Sequence, residues 1–125
     1  MICMEIEIKY PRRSEVRNFE NDWDVKVNYK NEFPTKADIE RNYVKLPIDQ
    51  SFWDAIGLSE ETFKPWVLDK IFQLMNKYGT NPMSTDEMQN WIKENKGSHT
   101  SMSVGDVIII DNNIYVCATV GWKEV

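Results

Sequence analysis

The sequence predicts an α+β fold: an antiparallel sheet, built from N-terminal strands and a C-terminal hairpin, packed against two central helices. Three observations predict it. The chain opens on MICMEIEIKY, which alternates apolar and polar residues; its centre carries two segments with apolar residues at helical spacing; and it closes on two short apolar runs separated by turn residues. At 125 residues with 42% hydrophobic side chains the chain has the size and apolar content of one core, so residues 1–125 are expected to form a single domain.

The first strand places Ile2, Met4, Ile6, Ile8 and Tyr10 on one face and Glu5, Glu7 and Lys9 on the other, and Pro11 ends it. DWDVKVNY repeats the alternation with Trp23, Val25, Val27 and Tyr29, and is expected to pair antiparallel with it. PTKADIERNY reads as a short helix opened by Thr35, VKLPI as extended, and DQSFWDAIG as a helical turn closed by Gly57. Phe63, Val67, Ile71, Leu74, Met75 and Tyr78 then form one helical stripe. Pro65 falls in the tolerant first turn, and Gly79 suits the left-handed C-terminal position. The second helix is expected to be capped by Ser84, with Glu87 reaching back, to bury Met88, Trp91 and Ile92, and to stop at Gly97. DVIIID and IYVCAT complete a hairpin whose turn is expected at Asn112 and Asn113, with Val107 and Ile109 on one face and Ile108 and Ile110 on the other.

Charge narrows the function classes. Fifteen Lys and Arg against twenty Asp and Glu give a formal charge of -5, which disfavours a surface dominated by phosphate contacts. The acidity is concentrated in the second half: residues 1–50 carry nine basic and ten acidic side chains, residues 51–125 six and ten. Arg12, Arg13 and Arg17 are candidates to grip a carboxylate or phosphate, although the interleaved Glu15 and Glu20 favour a solvated loop. Cys3 and Cys117 lie at opposite ends and imply no disulfide framework. With a single histidine and no paired ligand spacing, no metal site and no cofactor are expected. Charged residues interrupt the first ten positions, and no apolar run approaches a membrane span; a soluble cytoplasmic protein is expected.

The tail, GSHTSMSVGDVIIIDNNIYVCATVGWKEV, carries more polar residues than a hairpin needs. Gly105 and Asp106 suit a tight turn entering the sheet and Gly121 a bend, which leaves His99, Ser101 and Ser103. No GxSxG elbow is present and no Asp stands at a recognisable partner spacing, so a hydrolase using His99 and Ser101 is the least favoured reading; pinning the hairpin entry is the plain role of His99. HTSMSVGDVI followed by a hairpin and YVCATVGW resembles the C-terminal signature of small proteins encoded by phages, archaeal viruses and plasmids. It is also loosely similar to YodL-like domains. The resemblance covers residues 66–125, including Phe72 and Asn76 near a helix end and the Asn81-Pro82 step, and it implies a mobile-genetic-element setting with no activity attached. Two functions follow as expectations. One is a non-enzymatic accessory protein that binds a host or viral macromolecule in the host cytoplasm, to counter defence or alter regulation. The other is a nucleotide-, RNA- or DNA-binding module, because the VGDVI strand entry is similar to part of the small barrel of ASCH or PUA-like domains; there Tyr115 or Trp122 would stack on a base while the arginines meet phosphates.

Overall fold

In a computed structural model of the chain, residues 4–12, 22–59, 62–77, 79–95, 97 and 99–125 are described. Ile2, Cys3, Arg13, Glu15, Arg17, Glu20 and Tyr78, named above, lie outside the described residues. The frame is an antiparallel sheet of five strands in the order β2-β1-β3-β4-β5: β1 (Ile6–Pro11), β2 (Tyr43–Lys45), β3 (Val107–Ile110), β4 (Asn113–Cys117) and β5 (Trp122–Glu124). β1 pairs with β3 through Ile8 opposite Ile108, and β3 with β4 through Ile108 opposite Tyr115. The sheet is open, with β2 and β5 at its edges, and does not close as the small-barrel likeness implied.

Alternation along each strand sorts the core into two faces. Ile6, Ile8 and Tyr10 of β1, Ile108 and Ile110 of β3, and Tyr115 of β4 point into the larger core. It is covered by α3 (Gln50–Ala55), α4 (Pro65–Asn76) and α5 (Asp86–Glu94), which contribute Trp53; Val67, Leu68, Ile71 and Met75; and Ile92. The opposite face holds Val107 and Val116, under Val27 of α1 (Trp23–Lys30), Ile39 of α2 (Lys36–Asn42) and Tyr43. Helices therefore cover both faces of the sheet, where the sequence predicts only the two central helices against it, and β3 is buried on both sides.

The change follows from one segment. Residues 23–30 form α1, not a second strand. Trp23 and Val27 stand four apart, a spacing shared by a strand face and a helix face, so an eight-residue window does not separate the two periods. As a helix the segment buries Val27 and leaves Tyr29 77% exposed, covering Val107 and Val116 on the second face. Lys26 sits 4.3 Å above the Trp23 ring, and Asn31, at φ 53°, closes the helix in the left-handed region.

Local signals elsewhere act close to where they are written. The Thr35 hydroxyl accepts from Asp38 N while the Asp38 carboxylate accepts from Thr35 N, a complete capping box for α2. Pro65 is the first residue of α4, and Phe63 remains outside it. Asn81 and Pro82 open a 3-10 turn over Pro82–Ser84, which moves the α5 cap to Thr85, whose hydroxyl accepts from Met88 N; Ser84 does not cap it. The hairpin turn is Asp111-Asn112, at φ 49° and 71°, one residue earlier than expected, so that Asn113 pairs with Ile110. The shift lets Asp111 hold the start of β1: its carboxylate accepts from Glu5 N at 2.9 Å, and its own N–H donates to Glu5 O.

Candidate functional site

The segment 99–106 runs from α5 into β3, and each of its polar residues has a definite surrounding. Its closing turn is made by Ser103–Asp106: Asp106 N donates to Ser103 O, and Gly105 has φ +94°. A side chain at Gly105 would also meet the Trp23–Asp24 backbone at 3.0 to 3.1 Å, so α1 rests directly on this turn. Tyr43 clamps it from β2 by donating its hydroxyl to Gly105 O at 2.6 Å.

Asp106 is fully buried at the turn's end. One carboxylate oxygen accepts from Ser103 N at 2.7 Å and meets His99 Nε2 at 2.7 Å; its second oxygen has no protein partner among the described residues. Burial pushes its carboxyl up to about 6, against the opposing pull of His99 and the Ser103 amide, with the Asp24 charge adding a smaller upward push. The His99 ring stacks on Tyr10 with centroids 4.6 Å apart, and the Tyr10 hydroxyl donates to Thr100 O. Burial, followed by the charge of Asp106, raises the Tyr10 phenol, so it stays a donor.

The expectation that no Asp partners the histidine is corrected here: Asp106 does, seven residues away along a turn. The chemistry differs from a relay. A catalytic histidine uses its two ring nitrogens for different partners, whereas Ser103 Oγ and Asp106 Oδ2 both approach Nε2, at 3.4 and 2.7 Å. One ring nitrogen offers a single in-plane hydrogen or lone pair, so while Nε2 serves the carboxylate it does not draw the proton from Ser103. The arrangement fastens the turn to β1.

On the other side of Thr100 the chain meets a second set of polar residues that sequence reasoning passed over. Asn81, only 8% exposed, donates to Met75 O and Thr100 O and accepts from Met83 N. Gln89 donates to Met83 O and Thr100 Oγ1, and accepts from the same hydroxyl. Together they lace the end of α4, the 3-10 turn and α5 to the tail. The Asn-Pro step was a visible sign of the Asn81 cap, but its long-range bonds had no local signal. Beside this network opens a cavity of about 350 Å³ with Asn76, Lys77, Ser84 and Ser101 on its walls. Ser101 thus faces this cavity and forms no pair with His99.

The remaining candidates stand apart. Arg12 bridges to Gly97 and donates its N–H to Asn42 O, placing its backbone beside the start of the tail. Tyr115 and Trp122 lie beyond α4: Tyr115 stacks on Phe63 at 5.2 Å, while Trp122 donates to Asp69 at 3.1 Å and meets Phe72 edge-on. Phe63 is 38% exposed and Trp66, three residues on and one turn before Asp69, is 44% exposed, which gives the start of α4 an open aromatic ledge backed at Phe63 by Tyr115. Cys117 is a buried free thiol whose pKa is pushed up to about 12, chiefly by burial. Among the described residues no group of His, Cys, Asp and Glu is arranged to hold a metal ion, and no helix is long and apolar enough to cross a membrane.

Comparison with known proteins gives a sparse result. No protein family matches the chain, and no solved structure does. The chain is 41% identical over 59 residues to an uncharacterised protein of Acanthamoeba polyphaga mimivirus. The matched stretch is 47% of this chain and 53% of that protein, so the chain spans about half the length of the relative. This likeness hints at a viral origin.

Proposed function

We propose that the chain is a non-enzymatic accessory protein of a virus or other mobile genetic element that binds a host or viral protein, in counter-defence or regulation. The aromatic ledge carries this reading: Phe63, stacked on Tyr115, and Trp66, in the first turn of α4, stand exposed three residues apart, where a monomer gains little from displaying them. The partial likeness to a mimivirus protein supports the setting. The tail's polar signature supports the non-catalytic part, because His99, Ser103 and Asp106 are spent on fastening a turn.

A second reading, a nucleotide or nucleic-acid binder, is favoured by one observation, the cavity walled by Asn76, Lys77, Ser84 and Ser101. One experiment separates the two. The intact protein and a Phe63→Ala/Trp66→Ala variant are used as bait in a lysate of the cells that carry the gene, with and without nuclease. The accessory reading expects one stoichiometric protein that survives nuclease and is lost with the variant; nuclease-sensitive recovery indifferent to the variant supports the second reading and defeats the first.

A further inference from the structure

The face of α5 opposite Gln89 borders a second cavity, of about 340 Å³, lined by Pro47, Glu87, Met88, Asn90, Trp91 and Glu94. Residues 87, 90, 91 and 94 follow the i, i+3, i+4, i+7 spacing of one helix face, and Pro47, from the stretch between β2 and α3, supplies the facing wall. Trp91 is half-buried and packs against the main core, which fixes its ring. Glu87 and Glu94 stand about 10 Å apart along the axis, one on each side of Trp91. Both are exposed, and among the described residues neither has an ion-pair or hydrogen-bond partner. Among the described residues no cation lines the cavity, and Lys93 of α5 is not on its wall.

We propose that this cavity receives the guanidinium group of an arginine presented by a partner protein. An indole attracts a cation, two carboxylates without an ion-pair partner among the described residues share the cavity wall with it, and Met88 and Pro47 offer apolar contact to the alkyl stem. Guanidinium suits the site better than ammonium because it lies flat on an aromatic ring while donating in its plane to carboxylates on either side. The volume lies at the lower end of the range for ligand pockets, about 300–1,000 Å³, which is room enough for one side chain, and the two carboxylates on its wall disfavour a phosphate-bearing ligand. The proposal goes beyond the accessory reading and uses a surface that the aromatic ledge does not share.

The test titrates the intact protein with acetyl-Gly-Gly-Arg-Gly-Gly-amide, and with its lysine and citrulline counterparts, following the Trp91 indole and the amides of residues 87–94 by NMR. The expected result is saturable, millimolar binding of the arginine peptide centred on those resonances. Affinity should fall at least about fivefold in a Glu87→Gln/Glu94→Gln variant, whose exposed substitutions leave the fold intact, and the citrulline peptide should give no response. Equal affinity for arginine and citrulline, indifference to the double substitution, or no shift in the wild type would overturn the site. Equal affinity for lysine would overturn the guanidinium assignment.

Discussion

Replacing Asp106 with Asn removes a buried charge while keeping the shape of the side chain. The carboxyl is raised from 3.8 to about 6 because burial outweighs the help of His99 and the Ser103 amide. Below about pH 3.8 both the folded and unfolded chains hold this proton. Between there and pH 6 the folded form keeps a proton that the unfolded form has released, so stability falls as pH rises. Above about pH 6 the loss is complete, and the size of the shift sets it at up to about 3 kcal/mol. Asn carries no such titration. Urea unfolding of both proteins at intervals from pH 3.5 to 7.5 should therefore show the variant gaining on the wild type by up to about 3 kcal/mol across that window, whatever the offset between them at the acid end. A difference independent of pH, or one that moves in favour of the wild type as pH rises, would refute the reasoning that burial dominates at Asp106.

Three further expectations test the frame. Val116 of β4 is fully buried in the second core with Val27, Ile39 and Val107, so Val116→Asp should cost several kcal/mol, on the order of 4, and an unchanged melting temperature would contradict the packing of the second face. Asn81→Ala removes two donated bonds and one accepted bond, leaving Met75 O and Met83 N to find other partners while Thr100 O keeps the Tyr10 hydroxyl; a loss of about 2–4 kcal/mol, with faster amide exchange at Met83, is expected. Thr35→Ala breaks the α2 capping box and should cost about 1 kcal/mol in chemical denaturation, with other elements unaffected.

Where structure was legible in the sequence, the deciding interactions were short. The alternation of β1, the α2 capping box and the apolar runs of the hairpin depend on residues a few positions apart, and each forms close to where it is written. Residues 23–30 read as a strand because Trp23 and Val27 satisfy both periods, and the arbiter is Val107 and Val116, some eighty residues away, whose face needs a cover. The cap at Thr85 and the turn at Asp111 moved by one residue for a related reason: the Asn81-Pro82 turn claimed Ser84, and the Asp111 carboxylate was required at Glu5. At the candidate site His99, Ser103 and Asp106 stood out by type, but their union depended on a left-handed Gly105 folding Asp106 back toward His99. Asn81 and Gln89, 19 and 11 residues from Thr100, gave no periodic signal at all.

The central claim is that the tail's polar signature builds the fold while the aromatic ledge meets the partner. The direct measurement is calorimetric titration of the recovered partner into Phe63→Ala/Trp66→Ala and into His99→Gln, at a temperature where both variants remain folded. The account predicts that the ledge variant loses at least about tenfold in affinity, as aromatic anchors do, while His99→Gln stays within about twofold of the wild type despite a lower melting temperature. Full affinity in the ledge variant together with lost binding in folded His99→Gln would contradict it.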